Sequence, residues 1–373
     1  MRIGFDAKRA FYNNTGLGNY SRDAIRILSE YYTNNFYFLY TPKARKNIRL
    51  NFINSRENTF VRTPFSFLGN LFKKYWRTSN IVKDLQQDEI DIYHGLSHEL
   101  PLGIEKTNIK SVVTIHDLIF VRYPELFPLI DRNIYFKKFK SACNRADKII
   151  AISQQTKTDI IEFFNANEDK IEVVYQGCNK VFQSEIDANK KEEIQKKYKL
   201  PNSYLLNVSS ISERKNQLLI LKSLVKLKEE NLVIIGNGTS YQKQCKEFIS
   251  DNNLSDRVII LNNVKLSEMA AIYQSAKMMI YPSVFEGFGI PILEALFCKI
   301  AVITSTGSCF EETGGKHSVY INPYSEPELT NAIIKVQSDD DFRKNMIEQG
   351  YIHAQNFTDD KVAHNIMEVY KSL

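Results

Sequence analysis

MMIYPSVFEGFGIPILE, residues Met278 to Glu294, is the stretch whose reading decides the fold. Met278, Met279, Ile280 and Tyr281 are apolar throughout, as in a strand buried on both faces. Pro282 and Ser283 end that strand, and the loop Glu286-Gly287-Phe288-Gly289 follows. Pro291 suits the first residue of a helix, because its φ is already set and its missing amide proton costs nothing there. The two glycines let backbone approach a ligand, and the helix start offers unpaired N–H groups and the positive end of a dipole. Glu286 on the loop and Glu294 in the first helical turn bracket the junction. Such a place suits a pyrophosphate, with carboxylates left to grip sugar hydroxyls. The same spacing serves equally as a plain strand-to-helix corner, in which a glutamate only favours the helix dipole.

Outward from this stretch the alternation continues in both directions. Upstream, Tyr204–Ser209 reads as a strand, Ile211–Asn216 as a loop and Leu218–Leu227 as an apolar helix. Strands at Leu232–Gly236 and Val258–Asn262 follow, then a helix over Leu266–Lys277. Closer to the N-terminus, strands are predicted at Arg2–Asp6, Ile90–His94, Ser111–Ile115, Ala146–Ile152 and Ile171–Asn179. Helices are predicted over Asn19–Tyr31, after a Gly16-Leu17-Gly18 turn, and over Asp131–Asn144, with Ser153 capping another. Strand and helix in strict alternation imply parallel sheets with helices on both faces, an α/β fold. A chain of 373 residues exceeds one ordinary core. Two domains are expected, 1–180 and 181–355, with the charged run Gln183–Leu200 and Pro201 at the entry to the second. Residues 356–373 form a separate amphipathic segment, with Val362, Ile366, Val369 and Tyr370 on one stripe.

Composition narrows the class. Hydrophobic content of 43% and charged content of 25% are ordinary for a globular enzyme-sized chain. No apolar run reaches membrane-spanning length, and the first residues read directly as a strand rather than a signal peptide. The five cysteines are scattered and never form a C-x-x-C pair, which argues against a disulfide framework or a zinc site and for a reducing cytoplasm. Lys plus Arg less Asp plus Glu gives 49 − 43 = +6, a mild excess that suits anionic partners without indicating nucleic acid. That excess is uneven. Residues 43–77 carry nine cations against one acid, Glu57, interleaved with Phe52, Phe60, Phe65, Phe67, Phe72, Tyr75 and Trp76. Such a segment meets an anionic membrane or a lipid-linked acceptor, unless its aromatics are core and its charges a solvated face.

Several polar groups stand at the carboxyl ends of predicted strands, where open α/β sheets bind ligands. Arg214 and Lys215 are adjacent in a strand-to-helix turn, placed either to neutralise a leaving diphosphate or simply to face water. His116, with Asp117, directly follows the β-branched run SVVTI; an imidazole there can donate to a developing oxyanion or a sugar hydroxyl. His94 and His98 read as capping histidines. Glu311 in SCFEETGG fits a short-turn cap or a dipole role.

The run E-G-F-G-x-P-x-L-E-A resembles the E-x7-E signature of family 4 of retaining, nucleotide-sugar-dependent glycosyltransferases. The resemblance extends from Gly16 to about Pro323. It implies the GT-B fold, two facing doubly wound Rossmann-like domains with a deep interdomain cleft, and a last helix that crosses back to the first domain. It further implies that Glu294 holds the ribose, that Glu286 faces the donor sugar, and that the backbone of Phe288, Gly289 and Ile290 reaches sugar and phosphate. S-S-I-S-E-R-K-N is similar to the family's G-T-I-E-P-R-K-N, so that Arg214 and Lys215 would hold the nucleoside diphosphate; Ser209 and Glu213 replace its Gly and Pro. V-T-I-H-D-L places His116 near the donor sugar, and T-G-L-G-N-Y places Gly16 and Gly18 near donor phosphate and acceptor. Gly236 would lie beside the nucleotide, and Asn263 and Val264 would meet the base. The expected reaction needs no cofactor and no metal. The nucleotide sugar is a co-substrate (GDP-mannose first, since R-K-N before an apolar helix is common among mannosyltransferase-like members, or a UDP-sugar), and the acceptor is a glycan or lipid-linked glycan in cell-surface polysaccharide synthesis. A cytoplasmic protein, peripheral on the inner membrane face, is expected. Two other readings stay open: a sugar-nucleotide epimerase of the same architecture, and a non-catalytic binding subunit.

Overall fold

Strands built from Leu, Ile and Val with no polar face must be covered by helices on both sides, and the computed structural model, which describes residues 1–65 and 72–373 apart from the side chain of Lys74, obeys that constraint. Among the described residues, the first sheet comprises β1 (Arg2–Asp6), β2 (Phe36–Tyr40), β3 (Thr59–Arg62), β4 (Ile92–Gly95), β5 (Lys110–Ile115), β6 (Lys148–Ala151) and β7 (Ile171–Val173). The second comprises β8 (Leu205–Val208), β9 (Leu232–Ile235), β10 (Val258–Leu261), β11 (Met278–Tyr281), β12 (Ala301–Ser305) and β13 (Val319–Ile321). The spatial orders are β3-β2-β1-β4-β5-β6-β7 and β10-β9-β8-β11-β12-β13. Each paired strand runs parallel to its neighbour. Burial follows position: β9, β11 and β12 are buried along their whole length, whereas the edge strands β3, β10 and β13 are half-exposed.

The chain divides into two units, Met1–Gly177 with Asp359–Leu373, and Cys178–Thr358. The first unit has a core on each face of its sheet. On one face Ile3, Phe5, Ile25 and Leu28 pack with Val362, Ile366 and Tyr370 of the last helix, Asp359–Lys371. On the other lie Trp76, Leu85, Tyr93, Val113 and Phe164. The last helix lies against Gly16–Tyr31, and Arg26 Nη1 reaches Asp359 at 2.8 Å. In the second unit Leu205, Leu221, Ile234, Ile280, Ile303 and Ile333 belong to one core. No helix of the described residues is long and apolar enough to cross a membrane.

Two local expectations need correction. Gly16 and Gly18 do not make a turn; they are the first residues of the helix Gly16–Tyr31, and a separate short helix, Lys8–Tyr12, lies between them and β1. Gly18 is required by close approach, since a Cβ there would sit 1.9 Å from the Asn13 carbonyl oxygen, while Gly16 has open space around it. The buried guanidinium of Arg22 closes the short helix by donating to the carbonyls of Ala10 and Asn13 at 2.8 and 2.7 Å. The second correction concerns 43–77, which is not one surface. Trp76 is core and donates to Asp84 at 2.7 Å. Arg56, Arg62 and Arg77 pair with Glu30, Asp88 and Asp6. Lys43, Arg45, Lys46, Arg49, Phe65, Phe72 and Tyr75 are exposed. Phe67 lies outside the described residues. Ser153 does cap its helix, accepting from Thr156 N at 3.0 Å.

Candidate active site

The order of the second sheet reverses between β8 and β11, and the loops that leave the carboxyl ends of these two neighbours meet at that point. The loop after β8 carries Arg214 and Lys215 in a single turn, Glu213–Lys215, that closes on Asn216 at φ +62°. Asparagine tolerates that left-handed backbone, and its amide donates to the carbonyls of Pro282 and Pro323 at 3.3 and 2.6 Å. The two loops are also stitched through backbone: Val284 N donates to Arg214 O at 2.8 Å, and Ser283 Oγ lies 3.1 Å from the same oxygen.

This stitching brings three expected residues together. Arg214 Nη1 lies 2.7 Å and Lys215 Nζ 2.5 Å from Glu286 Oε1. Ser283 Oγ donates to the same oxygen at 2.5 Å, Tyr281 OH donates to it at 3.2 Å, and Lys215 Nζ also donates to the Tyr281 oxygen at 2.6 Å. Burial alone would push the Glu286 carboxyl up; Lys215 and Arg214 outweigh it and hold the group down at about 2. Burial also draws Lys215 below its ordinary value, with Glu286 opposing. Oε1 is therefore saturated, while Oε2 takes no hydrogen bond among the described residues. Two cations and one carboxylate leave the cluster one positive charge in excess.

The loop backbone is fixed from below by Ser308, Cys309 and Thr313. Cys309 Sγ donates to Phe288 O at 3.1 Å and lies 3.3 Å from Glu286 O, Thr313 Oγ1 donates to Phe288 O at 2.5 Å, and Ser308 Oγ to Glu286 O at 2.9 Å. The Phe288 ring is buried and its carbonyl is bound. Gly289, at φ +97°, precedes the helix Ile290–Phe297, so Pro291 is its second residue and Glu294 stands beyond the first turn. Glu294 does not join the Arg214–Lys215–Glu286 cluster. It accepts from Tyr273 OH at 2.7 Å, and burial pushes its carboxyl up to about 7, with that hydrogen bond opposing.

The remaining expected residues are more dispersed. Gly236 leaves β9 where a Cβ would lie 1.8 Å from Ser209 O, so its glycine is dictated by the packing of two strand exits. Asn263, exposed at φ +57°, and Val264 follow β10 at the sheet edge, two strands from β8. His116, Gly16 and Gly18 belong to the first unit. His116 Nε2 lies 2.9 Å from Leu96 O. A carbonyl accepts only, so Nε2 carries the proton and Nδ1 is the acceptor. Burial lowers the ring to about 4, against the Leu96 bond. His116 is thus neutral, able to accept from a hydroxyl through Nδ1 rather than to donate, contrary to the sequence expectation. His94 and His98 are not caps. His94 is fully buried between Tyr370 OH (2.6 Å) and Thr114 Oγ1 (2.8 Å), and His98 stacks on Phe139 at 4.2 Å. Glu311 is exposed in the first turn of Phe310–Gly314, where its charge suits the helix dipole.

Tyr281, Ser283, Asn216, Tyr273, Cys309 and Thr313 were not among the sequence candidates. Asn216 alone carried a signal, as a residue tolerant of left-handed backbone after two cations; the others are ordinary strand and helix residues until the fold aims them. Among the described residues, no group of three or more His, Cys, Asp or Glu is placed to hold a metal ion.

Two family models match in succession: Glycosyltransferase Family 4 over residues 34–180, and Glycosyl transferases group 1 over residues 189–353. The O-antigen chain mannosyltransferase RfbU of Salmonella typhimurium is 30% identical over 246 residues, which cover 64% of this chain and 63% of RfbU. The O-antigen chain mannosyltransferase B of Escherichia coli is 25% identical, over 76% of this chain and 74% of the relative. Among solved structures, Anabaena Alr3699/HepE in complex with UDP and glucose superposes over all of both chains with a TM-score of 0.78 at 18% identity. A Rickettsia africae glycosyltransferase superposes over 100% of this chain and 97% of its own, with a TM-score of 0.76 at 19% identity. Those two likenesses are of fold, two Rossmann-like parallel-sheet domains of the GT-B class.

Proposed function

The chain belongs to glycosyltransferase family 4, and on that premise we propose that it transfers a hexose from a nucleotide-diphosphate sugar to a hydroxyl of a glycan or lipid-linked glycan, with retention at the anomeric carbon, in bacterial cell-surface polysaccharide synthesis. One observation carries the reading. Glu286 is locked by four donors on one oxygen at the reversal point of the second sheet, with the other oxygen unfilled and two cations beside it. A carboxylate held ionised in this way is ready to accept sugar hydroxyls, and it cannot drift onto the phosphates. The excess positive charge of Arg214 and Lys215, with the positive end of the helix Ile290–Phe297, meets the negative charge that develops on the departing diphosphate. Glu294, steadied by Tyr273, takes the ribose. Gly236, Asn263 and Val264 lie along the nucleotide. His116, with Gly16 and Gly18, serves the sugar and acceptor side, the acceptor being taken by the first unit.

The names of the mannosyltransferase relatives support GDP-mannose as the first donor to test, and the UDP complex of the Anabaena protein keeps UDP-sugars in the panel. Lys43, Arg45, Lys46 and Arg49 with Phe65, Phe72 and Tyr75 support peripheral contact with an anionic membrane. Equal pelleting with anionic and neutral liposomes would remove that part. The main test is release of nucleoside diphosphate from GDP-mannose and from UDP-sugars, with and without a lipid-linked glycan. Acceptor-dependent release supports the reading. An isomerised donor without acceptor would make the protein an epimerase, and donor binding without turnover would make it a binding subunit.

A further inference from the structure

The first sheet reverses its order between β1 and β4, and a cavity of about 210 Å³ opens at their carboxyl ends. Its wall includes Asp6, the last residue of β1, and Glu99, in the segment that follows β4. Arg77 ties these acids together, with Nη2 2.6 Å from Asp6 Oδ2 and Nη1 2.8 Å from Glu99 Oε2. Lys138 lies 3.2 Å from the other Glu99 oxygen, and Lys137 stands exposed on the rim without an ion pair among the described residues. Tyr93 lines the same cavity and is 1% exposed, yet its hydroxyl takes no hydrogen bond among the described residues. The ring is buried while the hydroxyl faces the cavity, where it is available to a group that the cavity receives. At about 30 Å³ per water, the volume holds roughly seven waters, enough for one monosaccharide ring.

We infer that this cavity is a saccharide subsite, in which the fixed carboxylates of Asp6 and Glu99 accept from ring hydroxyls, Tyr93 fills its hydrogen bond on the sugar, and Lys137 meets any negative substituent at the rim. Leu100, Pro101 and Leu102 supply an apolar wall for the C–H face of the ring. The occupant is a sugar unit of the acceptor glycan; this rests on the reading that the first unit takes the acceptor.

Saturation-transfer NMR on the full chain tests it, with methyl α-mannoside and glucuronic acid as probes and Tyr93→Phe and Lys137→Ala as variants. Thermal shift with GDP and UDP on the same samples follows the second unit independently. Methyl α-mannoside should bind the natural protein and lose at least about fivefold in affinity in Tyr93→Phe. Glucuronic acid should lose at least about threefold in Lys137→Ala, an exposed position whose replacement leaves the core intact. GDP and UDP shifts should be the same in all three proteins. Failure of both saccharides to bind, or equal binding in all three proteins, overturns the subsite and leaves a water-filled cavity. Saccharide binding without any response to GDP or UDP would support the subsite and refute the donor reading.

Discussion

Replacing Glu286 by Gln tests the charge cluster most directly, because the substitution keeps size and removes only the carboxylate charge. The carboxyl is held at about 2 against an ordinary 4.5. A difference of 2.5 units at 1.36 kcal/mol each is about 3 kcal/mol of interaction favouring the ionised form. Removing one partner of a buried pair strands the others, which costs roughly 3–5 kcal/mol, so the two routes agree on a loss of about 3 kcal/mol or more. The sign follows from the direction of the shift: a depressed carboxyl stabilises fully above 4.5, and that contribution is lost as pH falls toward 2. The only tryptophan, Trp76, lies in the first unit, so its fluorescence cannot report the loss. Hydrogen exchange read on peptides covering β8 and β11 can, with β1 and β4 as the internal control. The variant should lose protection in the second unit alone at neutral pH, and should lack the acid-dependent decline of the natural protein between 4.5 and 2. Donor turnover should fall about 10²–10³-fold. Equal protection of β11 in both proteins, or the same acid dependence in both, would refute the reasoning.

Lys215→Ala should cost about 2–4 kcal/mol in kcat/KM for the nucleotide sugar, measured by nucleoside diphosphate release, because one of the two cations facing the leaving group is gone. Glu294, raised to about 7, imposes the opposite pH dependence: its contribution is fully present below 4.5 and is lost as pH rises through about 7. Glu294→Gln should therefore stabilise the unliganded protein above that value, by about 1 kcal/mol once its partial exposure is discounted, in thermal melts, while weakening nucleotide binding. Gly289→Ala should destabilise the second unit by about 1–2 kcal/mol in denaturant titrations, since φ +97° is hostile to a Cβ. Deleting Asp359–Leu373 uncovers the face on which Val362, Ile366, Met367, Val369 and Tyr370 are buried. At about 1.5–3 kcal/mol per side chain the five together lose about 7–15 kcal/mol, as much as a typical margin of about 5–15 kcal/mol, and the truncated chain should be insoluble on expression.

How much of this was legible beforehand differs between fold and site. MMIY at Met278–Tyr281, the apolar runs at Leu232 and Ser111, and the glycine-bearing exits were enough for parallel α/β sheets, because a strand with two apolar faces has no other stable environment. The family signature reached Arg214, Lys215 and Glu286 as separate letters. It could not say that all three meet on one oxygen of one carboxylate, or that Tyr281 and Ser283 complete the set, since that depends on β8 and β11 being neighbours across 69 residues or more of chain. His94 and His98 show the same limit: the sequence sees a polar residue after a strand and expects a cap, while the fold buries both rings and supplies their partners from remote positions such as Tyr370. By itself the sequence determined which residues are apolar, which turns demand glycine and which charges are available. Only the tertiary structure decided which charges are desolvated together, and desolvation is what turns an ordinary glutamate, lysine and arginine into a fixed site.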